Sequence, residues 1–198
     1  GSGGGDRPSL AASWPKLFHS ASTLPGLTGI SNRRRLDHYL RSVWERDAGS
    51  QRPIALLAID VDHFKRYNDT HGHLAGDQML KDLVQCMAPC LRRAEDMLAR
   101  YGGEEFIAVL PGADLATARA IAEHMRQAVE EAALGSTISI GIASRRVGDG
   151  SIAELLEAAD QALYAAKRNG RNQVCSEAEL VRLGMLSSSV KVGGVELF

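Results

Sequence analysis

The stretch 101–106, Tyr-Gly-Gly-Glu-Glu-Phe, places two adjacent glycines between two runs of apolar residues. Such a pair predicts a two-residue β-hairpin turn at Gly102 and Gly103, because the favoured hairpin turns need a positive φ that glycine adopts without strain. Strands joined by a hairpin are antiparallel, so we do not expect an all-parallel, doubly wound sheet. Two acids, Glu104 and Glu105, follow the glycines, although a surface hairpin can carry acids for solubility alone.

An earlier run, residues 53–59, is apolar at every position and ends at Asp60. This pattern predicts a strand that is buried on both faces. Strand ends commonly meet ligands, and Asp60 can converge with Glu104 if the hairpin belongs to the same sheet. Clustered acids repel each other unless a cation neutralises them. Mg²⁺ is usually held in proteins by one or two carboxylates together with substrate phosphates.

Several ordered motifs surround these acids, and together they resemble the GGDEF family of diguanylate cyclases. The resemblance covers residues 27–172 and rests on the motifs Asp60-Val61-Asp62-His63-Phe64-Lys65, Asn68-Asp69, Gly72-His73, Gly76-Asp77 and 102–106. It implies a ferredoxin-like palm of the kind found in nucleotidyl cyclases and polymerases. The sequence departs from the family pattern at Pro25, where an aspartate is usual.

The predicted order of elements is helix, strand, helix, helix, strand–hairpin–strand, helix, strand, helix, strand. This order indicates an α+β fold, an α/β two-layer sandwich with a mixed, largely antiparallel sheet that is flanked by helices. Ser31 or Asn32 is expected to cap the first helix, and Pro89 is expected to end or kink the second long helix near Ala88. Later helices are predicted over 114–131 and 151–170, and later strands over 136–143 and 172–175.

Length and composition favour one globular domain. The chain has 198 residues, 44% of them hydrophobic, and a net charge of −1, so no strong field attracts nucleic acid or anionic lipid. No signal peptide and no apolar run of about 20 residues is present. We therefore expect a cytoplasmic domain, with any membrane anchor of the parent protein outside this sequence. Residues 1–23 are interpreted as a cloning remnant and linker, 24–175 as the GGDEF domain, and 176–198 as a C-terminal extension.

The acids around the hairpin carry the predicted chemistry. Asp60 and Glu104 are the candidate ligands of Mg²⁺, or of Mn²⁺ in its place, and the resemblance adds the carbonyl of Val61. Glu104 is also the candidate for helping to deprotonate a GTP 3′-OH, with Glu105 as the second catalytic acid. Neighbours in a regular strand point to opposite faces, so we rank Glu104 above Glu105 unless the hairpin is bulged.

A helix is predicted to begin directly after the first strand. The backbone N–H groups of His63, Phe64 and Lys65 would lie at its start, and free N–H groups at a helix start bind phosphate. Every helix has such a start, but this one follows Asp60 immediately. Asp62 is expected to cap this helix in preference to binding metal.

Four further residues match positions that the family uses for the nucleotide. Asp77 can accept from the N1 and N2 donors of guanine, which adenine lacks, and Asn68 can add a bidentate amide contact. Taken alone, both would be interpreted as helix caps. Lys167 and Arg171 flank the end of the last helix, where cations also suit the helix dipole. The resemblance implies that these two hold the β- and γ-phosphates.

The stretch Arg93-Ala94-Glu95-Asp96 matches the inhibitory RxxD motif of the family, at which the product cyclic di-GMP binds. An Arg–Asp pair at this spacing is common on helix surfaces, but its position before the hairpin favours the product site. Many family members add an arginine from the next long helix. Here His124 stands at that position, with Arg126 nearby.

The predicted activity is diguanylate cyclase: two GTP give cyclic di-GMP and two pyrophosphates. Each domain would hold one GTP, so we expect a homodimer, and an upstream sensory domain in the parent protein. The alternative is a catalytically inactive module that senses cyclic di-GMP through Arg93 and Asp96. A third hypothesis, an adenylate cyclase or polymerase palm, is disfavoured by Asp77.

Overall fold

The structure, a computed structural model, describes residues 29–184. Predictions for residues 1–23, for Pro25 and for 185–198 lie outside these residues. The helices are α1 (Arg33–Arg46), α2 (Phe64–His71), α3 (His73–Met87), α4 (Leu115–Ala132), α5 (Ile152–Arg168) and α6 (Glu177–Arg182). The strands are β1 (Pro53–Val61), β2 (Met97–Gly102), β3 (Glu105–Pro111), β4 (Ile138–Arg146) and β5 (Val174–Ser176). Within the described range, no helix is long and apolar enough to span a bilayer.

The helices begin and end where local signals predict. Asn32, Asp114 and Ser151 each accept a hydrogen bond from the backbone N–H three residues later, at 3.0, 2.8 and 3.1 Å. The choice between Ser31 and Asn32 is therefore settled in favour of Asn32. Helix α3 ends at Met87 and passes into a 3₁₀ turn, as expected from Pro89, whose missing N–H cannot continue an α-helix.

The five strands form one sheet in the order β2-β3-β1-β4-β5. All neighbours pair antiparallel except β4 and β5, which are parallel. The predicted mixed, largely antiparallel sheet and the α+β class are thus confirmed. Strand β1 lies at the centre, between β3 and β4, and such a central strand is covered on both faces, which explains why its residues 53–59 are all apolar.

Helices cover both faces of this sheet. Alternate residues of β1 pack on one side against α3 and α4, and on the other side against α1 and α5. The sheet is therefore flanked by helices, as predicted, with one helical layer on each of its faces. The end of β1 consequently lies among side chains from both helical layers.

The hairpin turn lies one residue later than the sequence predicted. Gly102 is the last residue of β2 and pairs with Glu105, so the two turn residues are Gly103 and Glu104. Gly103 has a φ of 49°, which places the positive φ at the first turn position, as in a type II′ turn. The register shifts between Arg100 and Gly102, so β2 carries a bulge next to the turn.

Helix α6 lies in the first part of the predicted extension 176–198. Ser176 and Glu179 form a capping box at its start. Leu180 is buried against Ala162 and Ala165 of α5. The chain after β5 thus continues to pack on the domain as far as this helix.

An ion-pair network joins α1, the start of β1 and the loop before β2. The Asp47 carboxylate accepts from Arg46 at 2.9 Å and from Arg52 at 3.1 Å. Both guanidinium groups also bind Glu95, at 2.7 and 2.5 Å. Hydrogen bonds from Arg46 above all lower the pKa of Asp47, and those from Arg52 lower the pKa of Glu95.

This network predicts a pH-dependent contribution to stability. Asp47→Asn should lower the free energy of unfolding at pH 7 by roughly 1.5–3 kcal/mol, the usual contribution of hydrogen bonds to a charged group. A lowered pKa gives stability that is present above the unfolded value, about 4, and is lost as the pH falls through the folded value. Urea unfolding measures this effect. The difference in free energy of unfolding between the parent protein and Asp47→Asn should be smaller at pH 3 than at pH 7.

The exposed Glu131 of α4 provides the matched control for this measurement. Glu131→Gln should change the free energy of unfolding by less than about 0.5 kcal/mol at either pH. If Asp47→Asn lowered the free energy of unfolding equally at both pH values, its effect would come from packing and not from the charge of the carboxylate.

Candidate active site

The end of β1 brings the predicted acids together. Asp60 is 1% exposed and lies directly opposite Glu105 on β3. The next residue, Val61, donates its backbone N–H to the carbonyl of Glu104 at 3.2 Å. The end of β1 and the hairpin turn are therefore adjacent, as the sequence predicted.

The two hairpin acids reach this end of the sheet in different ways. Residues directly opposite each other in an antiparallel pair share a face, so Glu105 lies on the same face as Asp60. Glu104 lies in the turn itself. The sequence pattern ranks Glu104 above Glu105 only for a hairpin without a bulge, and β2 carries a bulge next to this turn. The structure thus removes the geometric reason for placing Glu104 above Glu105, and their individual roles stay predictions.

Arg100 is a residue of this site that the sequence did not single out. Its guanidinium donates two hydrogen bonds to the carbonyl of Gly103, at 3.0 and 2.8 Å. These bonds satisfy a turn carbonyl and hold the hairpin against the end of β2. The sequence signal that could have predicted this contact is a basic residue three positions before the turn.

Lys167 from α5 forms an ion pair with Asp60, and its side chain is 15% exposed. Close packing between α5 and β4 places it there, because a Cβ on Gly141 would meet the backbone of Leu163 at 2.1 Å. Lys167 was predicted to hold phosphate. In the structure it neutralises the carboxylate that was predicted to bind metal, so the cation and the acid lie in one cluster.

Two residues, Asp62 and His63, separate the end of β1 from the start of α2. Its first backbone hydrogen bond runs from Tyr67 N–H to the carbonyl of His63, at 3.1 Å. The N–H groups of Phe64 and Lys65 precede this bond and have no carbonyl to reach within the helix. His63 adopts a left-handed conformation and its side chain does not cap the helix. The helix start therefore has the donors that phosphate binding needs.

Asp62 does not cap α2, contrary to the prediction. Its carboxylate is 2% exposed and accepts from Thr137, Ser139 and the backbone N–H of Asn172. The signal for this role lay at the start of β4, where Thr137, directly before the strand, and Ser139, within it, place two hydroxyls two residues apart among apolar neighbours. Both face the same side and need an acceptor when buried.

The predicted guanine residues lie on the two helices α2 and α3, close to where Asn68 packs against Gly76. The side-chain oxygen of Asn68 is buried and has no hydrogen-bond partner in the protein. This oxygen lies 1.7 Å from where a Cβ on Gly76 would stand, so only glycine allows the amide to approach. The half-buried Asp77 follows Gly76 directly. A buried acceptor without a partner is costly, which favours a ligand at this position.

Arg171 lies in a strained turn after α5. Gly170, Arg171 and Asn172 all have positive φ, at 117°, 66° and 45°. Arg171 is exposed, while its backbone N–H donates to the carbonyl of Ala166 at 3.0 Å. The predicted phosphate-binding side chain of Arg171 therefore extends into solvent from a turn whose backbone is hydrogen-bonded to the end of α5.

The predicted inhibitory residues lie at the opposite end of β2. Arg93 lies 3.5 Å from the carboxylate of Asp96 and also donates to the carbonyl of Pro111. Burial raises the pKa of Asp96, whose side chain is fully buried. Strand β2 has six residues, so roughly 20 Å separates this pair from the turn. Between them in sequence, Glu95 joins the ion-pair network with Arg46 and Arg52.

Arg126 is engaged elsewhere. It binds Glu123 at 3.0 Å and Glu130 at 2.9 Å on α4, and the Asn172 side chain at 3.1 Å. His124 is exposed on the same helix. The structure thus assigns Arg126 to the turn after α5 and not to the Arg93–Asp96 pair.

The donor set at Asp60 and Glu104 fits Mg²⁺. Among residues 29–184, no group of three or more His, Cys, Asp or Glu side chains is arranged to hold a metal ion. Two carboxylates suffice for Mg²⁺ when substrate phosphates and water complete its coordination. The ion pair between Asp60 and Lys167 shows that a positive charge is already accommodated at this carboxylate. The metal ligands themselves stay predictions.

Comparison with known proteins identifies the family. The family described as "Diguanylate cyclase, GGDEF domain" matches residues 23–173, most of the chain. Diguanylate cyclase A of Treponema denticola is 38% identical over 161 residues, which cover 74% of this chain and 43% of that protein. The response regulator PleD of Caulobacter vibrioides is 41% identical over 162 residues, covering 77% of this chain and 35% of PleD. The chain therefore spans less than half the length of these relatives.

Solved structures show the same fold. The GGDEF domain of DgcB from Caulobacter crescentus in complex with c-di-GMP superposes with a TM-score of 0.73 at 34% identity, covering 81% of this chain and 98% of that one. The active GGEEF domain of a Vibrio cholerae diguanylate cyclase superposes with a TM-score of 0.68 at 36% identity, and the match covers 74% of this chain and 96% of that one. With the matched motifs lying on the same domain, this chain belongs to the GGDEF family of diguanylate cyclases.

Proposed function

We propose that this domain condenses two GTP into cyclic di-GMP and two pyrophosphates. The observation that carries this proposal is the junction at the end of β1. There, the Val61–Glu104 backbone bond and the Asp60–Lys167 ion pair bring two acids and a cation together. Joining a 3′-OH to an α-phosphate needs charge neutralisation and in-line positioning, and such a cluster can supply both.

Asp60, Glu104 and the carbonyl of Val61 would hold Mg²⁺, or Mn²⁺ in its place. These residues would thereby supply, through the bound ion, neutralisation of phosphate charge and a lower pKa for a coordinated oxygen. Glu104 would accept the proton of the attacking 3′-OH, with Glu105 as the neighbouring acid.

The remaining residues would bind the nucleotide. The N–H groups of His63, Phe64 and Lys65 at the start of α2 would hold phosphate oxygens. Lys167 and Arg171, from α5 and the turn after it, would pair with the β- and γ-phosphates. Each assignment agrees with the placement of these groups around the end of β1.

Guanine selectivity would come from Asn68 and Asp77. The Asn68 oxygen is buried without a protein partner, so a base N–H that reaches it removes an energetic cost. Asp77 would accept from N1 and N2 of guanine.

The reaction requires two GTP in opposed orientations. One compact site cannot easily hold both, so we propose that two domains face each other as a homodimer, each with one GTP. Because the chain spans less than half of its relatives, we further propose that an upstream sensory domain in the parent protein controls this encounter.

We also propose that cyclic di-GMP inhibits the enzyme by binding at Arg93 and Asp96. Arginine pairs with the O6/N7 edge of guanine or with phosphate. The DgcB domain, which shares this fold, was solved in complex with c-di-GMP. Inhibition requires that the product binds the inactive arrangement more tightly than the active one.

Incubation with GTP and Mg²⁺ followed by chromatography tests the activity. The expected products are cyclic di-GMP and pyrophosphate, with a rate per chain that rises with protein concentration because the active form is dimeric. A domain that binds cyclic di-GMP but forms none from GTP would be an inactive sensor. Equal use of ATP would contradict the assignment of Asp77.

Asp77→Ala should weaken GTP binding and relax the preference for guanine. An unpaired polar group in a binding site costs about 1–3 kcal/mol, so discrimination between GTP and ATP should fall by roughly 10–100-fold. Competition binding with the two nucleotides measures this change. The exposed Asp69 on α2 offers the matched control, and Asp69→Ala should leave the preference as it is. Unchanged discrimination in Asp77→Ala would remove Asp77 from the base pocket.

A further inference from the structure

The buried carboxylate of Asp62 connects three segments of the chain. One oxygen accepts from the Ser139 hydroxyl at 2.6 Å; the other accepts from the Thr137 hydroxyl at 2.7 Å and from the Asn172 N–H at 3.0 Å. Ser139 is on β4, Thr137 directly precedes this strand, and Asn172 belongs to the turn after α5. Asp62 itself follows β1. Both oxygens of this buried carboxylate thus accept hydrogen bonds, which a buried polar group requires.

The turn that Asp62 binds is strained. Arg171 and Asn172 are consecutive non-glycine residues with positive φ, and such conformations are energetically unfavourable. They persist only where surrounding contacts determine them. The backbone N–H of Arg171 is held by the carbonyl of Ala166, and that of Asn172 by Asp62.

The side chain of Asn172 adds a second attachment. Its oxygen accepts from Arg126 at 3.1 Å, and its amide nitrogen donates to Glu130. Both partners are on α4. The turn is therefore fixed from β4 through Asp62 and from α4 through Arg126 and Glu130, while the Arg171 side chain between these attachments stays exposed.

We infer that Asp62 is a positioning residue for Arg171: through the Asn172 N–H it holds the strained 170–172 turn so that the guanidinium meets the terminal phosphates of GTP. This inference rests on the proposed phosphate-binding role of Arg171. Direct metal binding by Asp62 is disfavoured, because three donors already occupy its two oxygens. Helix capping is excluded, because its bonds go to β4 and to Asn172.

Binding of 3′-deoxy-GTP, which lacks the attacking hydroxyl and cannot react, tests the inference by calorimetry. Asp62→Ala should lower the affinity for 3′-deoxy-GTP by about fivefold or more, since hydrogen bonds that orient a charged group typically contribute 1 kcal/mol or more. GMP lacks the β- and γ-phosphates, so its affinity should stay within about twofold. The loss should persist when Mg²⁺ is replaced by EDTA, which separates an effect on Arg171 from one on the neighbouring Asp60.

Thr137→Val is the matched control. It removes one hydroxyl donor from the same carboxylate but leaves the bond to Asn172. It should lower thermal stability while the ratio of 3′-deoxy-GTP to GMP affinity is unchanged. A purely structural role of Asp62 would make Asp62→Ala and Thr137→Val behave alike in this ratio.

A double-mutant cycle shows whether Asp62 acts through Arg171. Arg171→Ala alone should lower the affinity for 3′-deoxy-GTP by about tenfold or more. Adding Asp62→Ala to this variant should lower the affinity by less than about twofold further. If the two losses multiply, or if Asp62→Ala leaves the affinity unchanged while Arg171→Ala lowers it, the positioning inference is wrong and the proposed function stands. If Arg171→Ala has no effect, the phosphate role of Arg171 is also wrong.

Asn172→Ala provides the second variant in case Asp62→Ala does not fold. It removes the attachments to Arg126 and Glu130 and places at φ 45° a residue that tolerates this region less well than asparagine. It should weaken 3′-deoxy-GTP but not GMP, like Asp62→Ala. Parent-like affinity for both ligands in Asn172→Ala would overturn the inference.

Discussion

Glu104→Gln is expected to lower the rate of cyclic di-GMP formation by about 10³-fold, the usual range for the loss of a general base. The change keeps the size of the side chain but removes the charge and the proton acceptor. The turn should survive it, because the substitution keeps the bond from the Val61 N–H to the Glu104 carbonyl and the bonds from the Arg100 side chain to the Gly103 carbonyl. Initial rates at saturating GTP, with thermal unfolding as a check of folding, measure the effect.

Glu105→Gln, made in parallel, ranks the two acids. Glu105 lies opposite Asp60 on the same face of the sheet, so its loss should also reduce the rate, but by less than the loss of the proposed base. If Glu104→Gln turned over GTP at the parent rate while Glu105→Gln did not, the base and metal assignments would move to Glu105.

Arg93→Ala should abolish tight binding of cyclic di-GMP and release the enzyme from product inhibition, with initial rates little changed. A hydrogen bond to a charged group contributes about 1.5–3 kcal/mol, so the loss of the guanidinium should reduce affinity by roughly 10–100-fold. The active-site residues are untouched, because β2 separates Arg93 from the hairpin. Calorimetry with cyclic di-GMP and progress curves with GTP measure the two effects.

Arg92 is the matched control for this substitution, since it is the exposed arginine next in sequence. Arg92→Ala removes the same charge and should retain both affinity and inhibition. Parent-like cyclic di-GMP affinity in Arg93→Ala would contradict the RxxD assignment. The product would then bind at the active site or near His124, since Arg126 is held by Glu123, Glu130 and Asn172.

The sequence by itself determined the features that depend on local patterns. Helix starts at Asn32, Asp114 and Ser151 follow from side chains that bond the backbone three residues away, and the end of α3 follows from Pro89. The buried position of β1 follows from a run that is apolar on both faces. The family motifs have a fixed spacing, so the sequence also located the acids and the helix start that the structure brings to the end of β1.

The tertiary structure alone decided the features that depend on partners far along the chain. The hairpin turn lies at Gly103 and Glu104 because the bulge in β2 and its pairing with β3 set the register, which two glycines cannot specify. Asp62 was interpreted as a local helix cap, but its partners lie 75 and 110 residues away. A buried carboxylate takes the donors that the fold brings to it, and local periodicity does not encode which donors these are. For the same reason, only the folded chain shows Lys167 against Asp60 and Glu95 between Arg46 and Arg52.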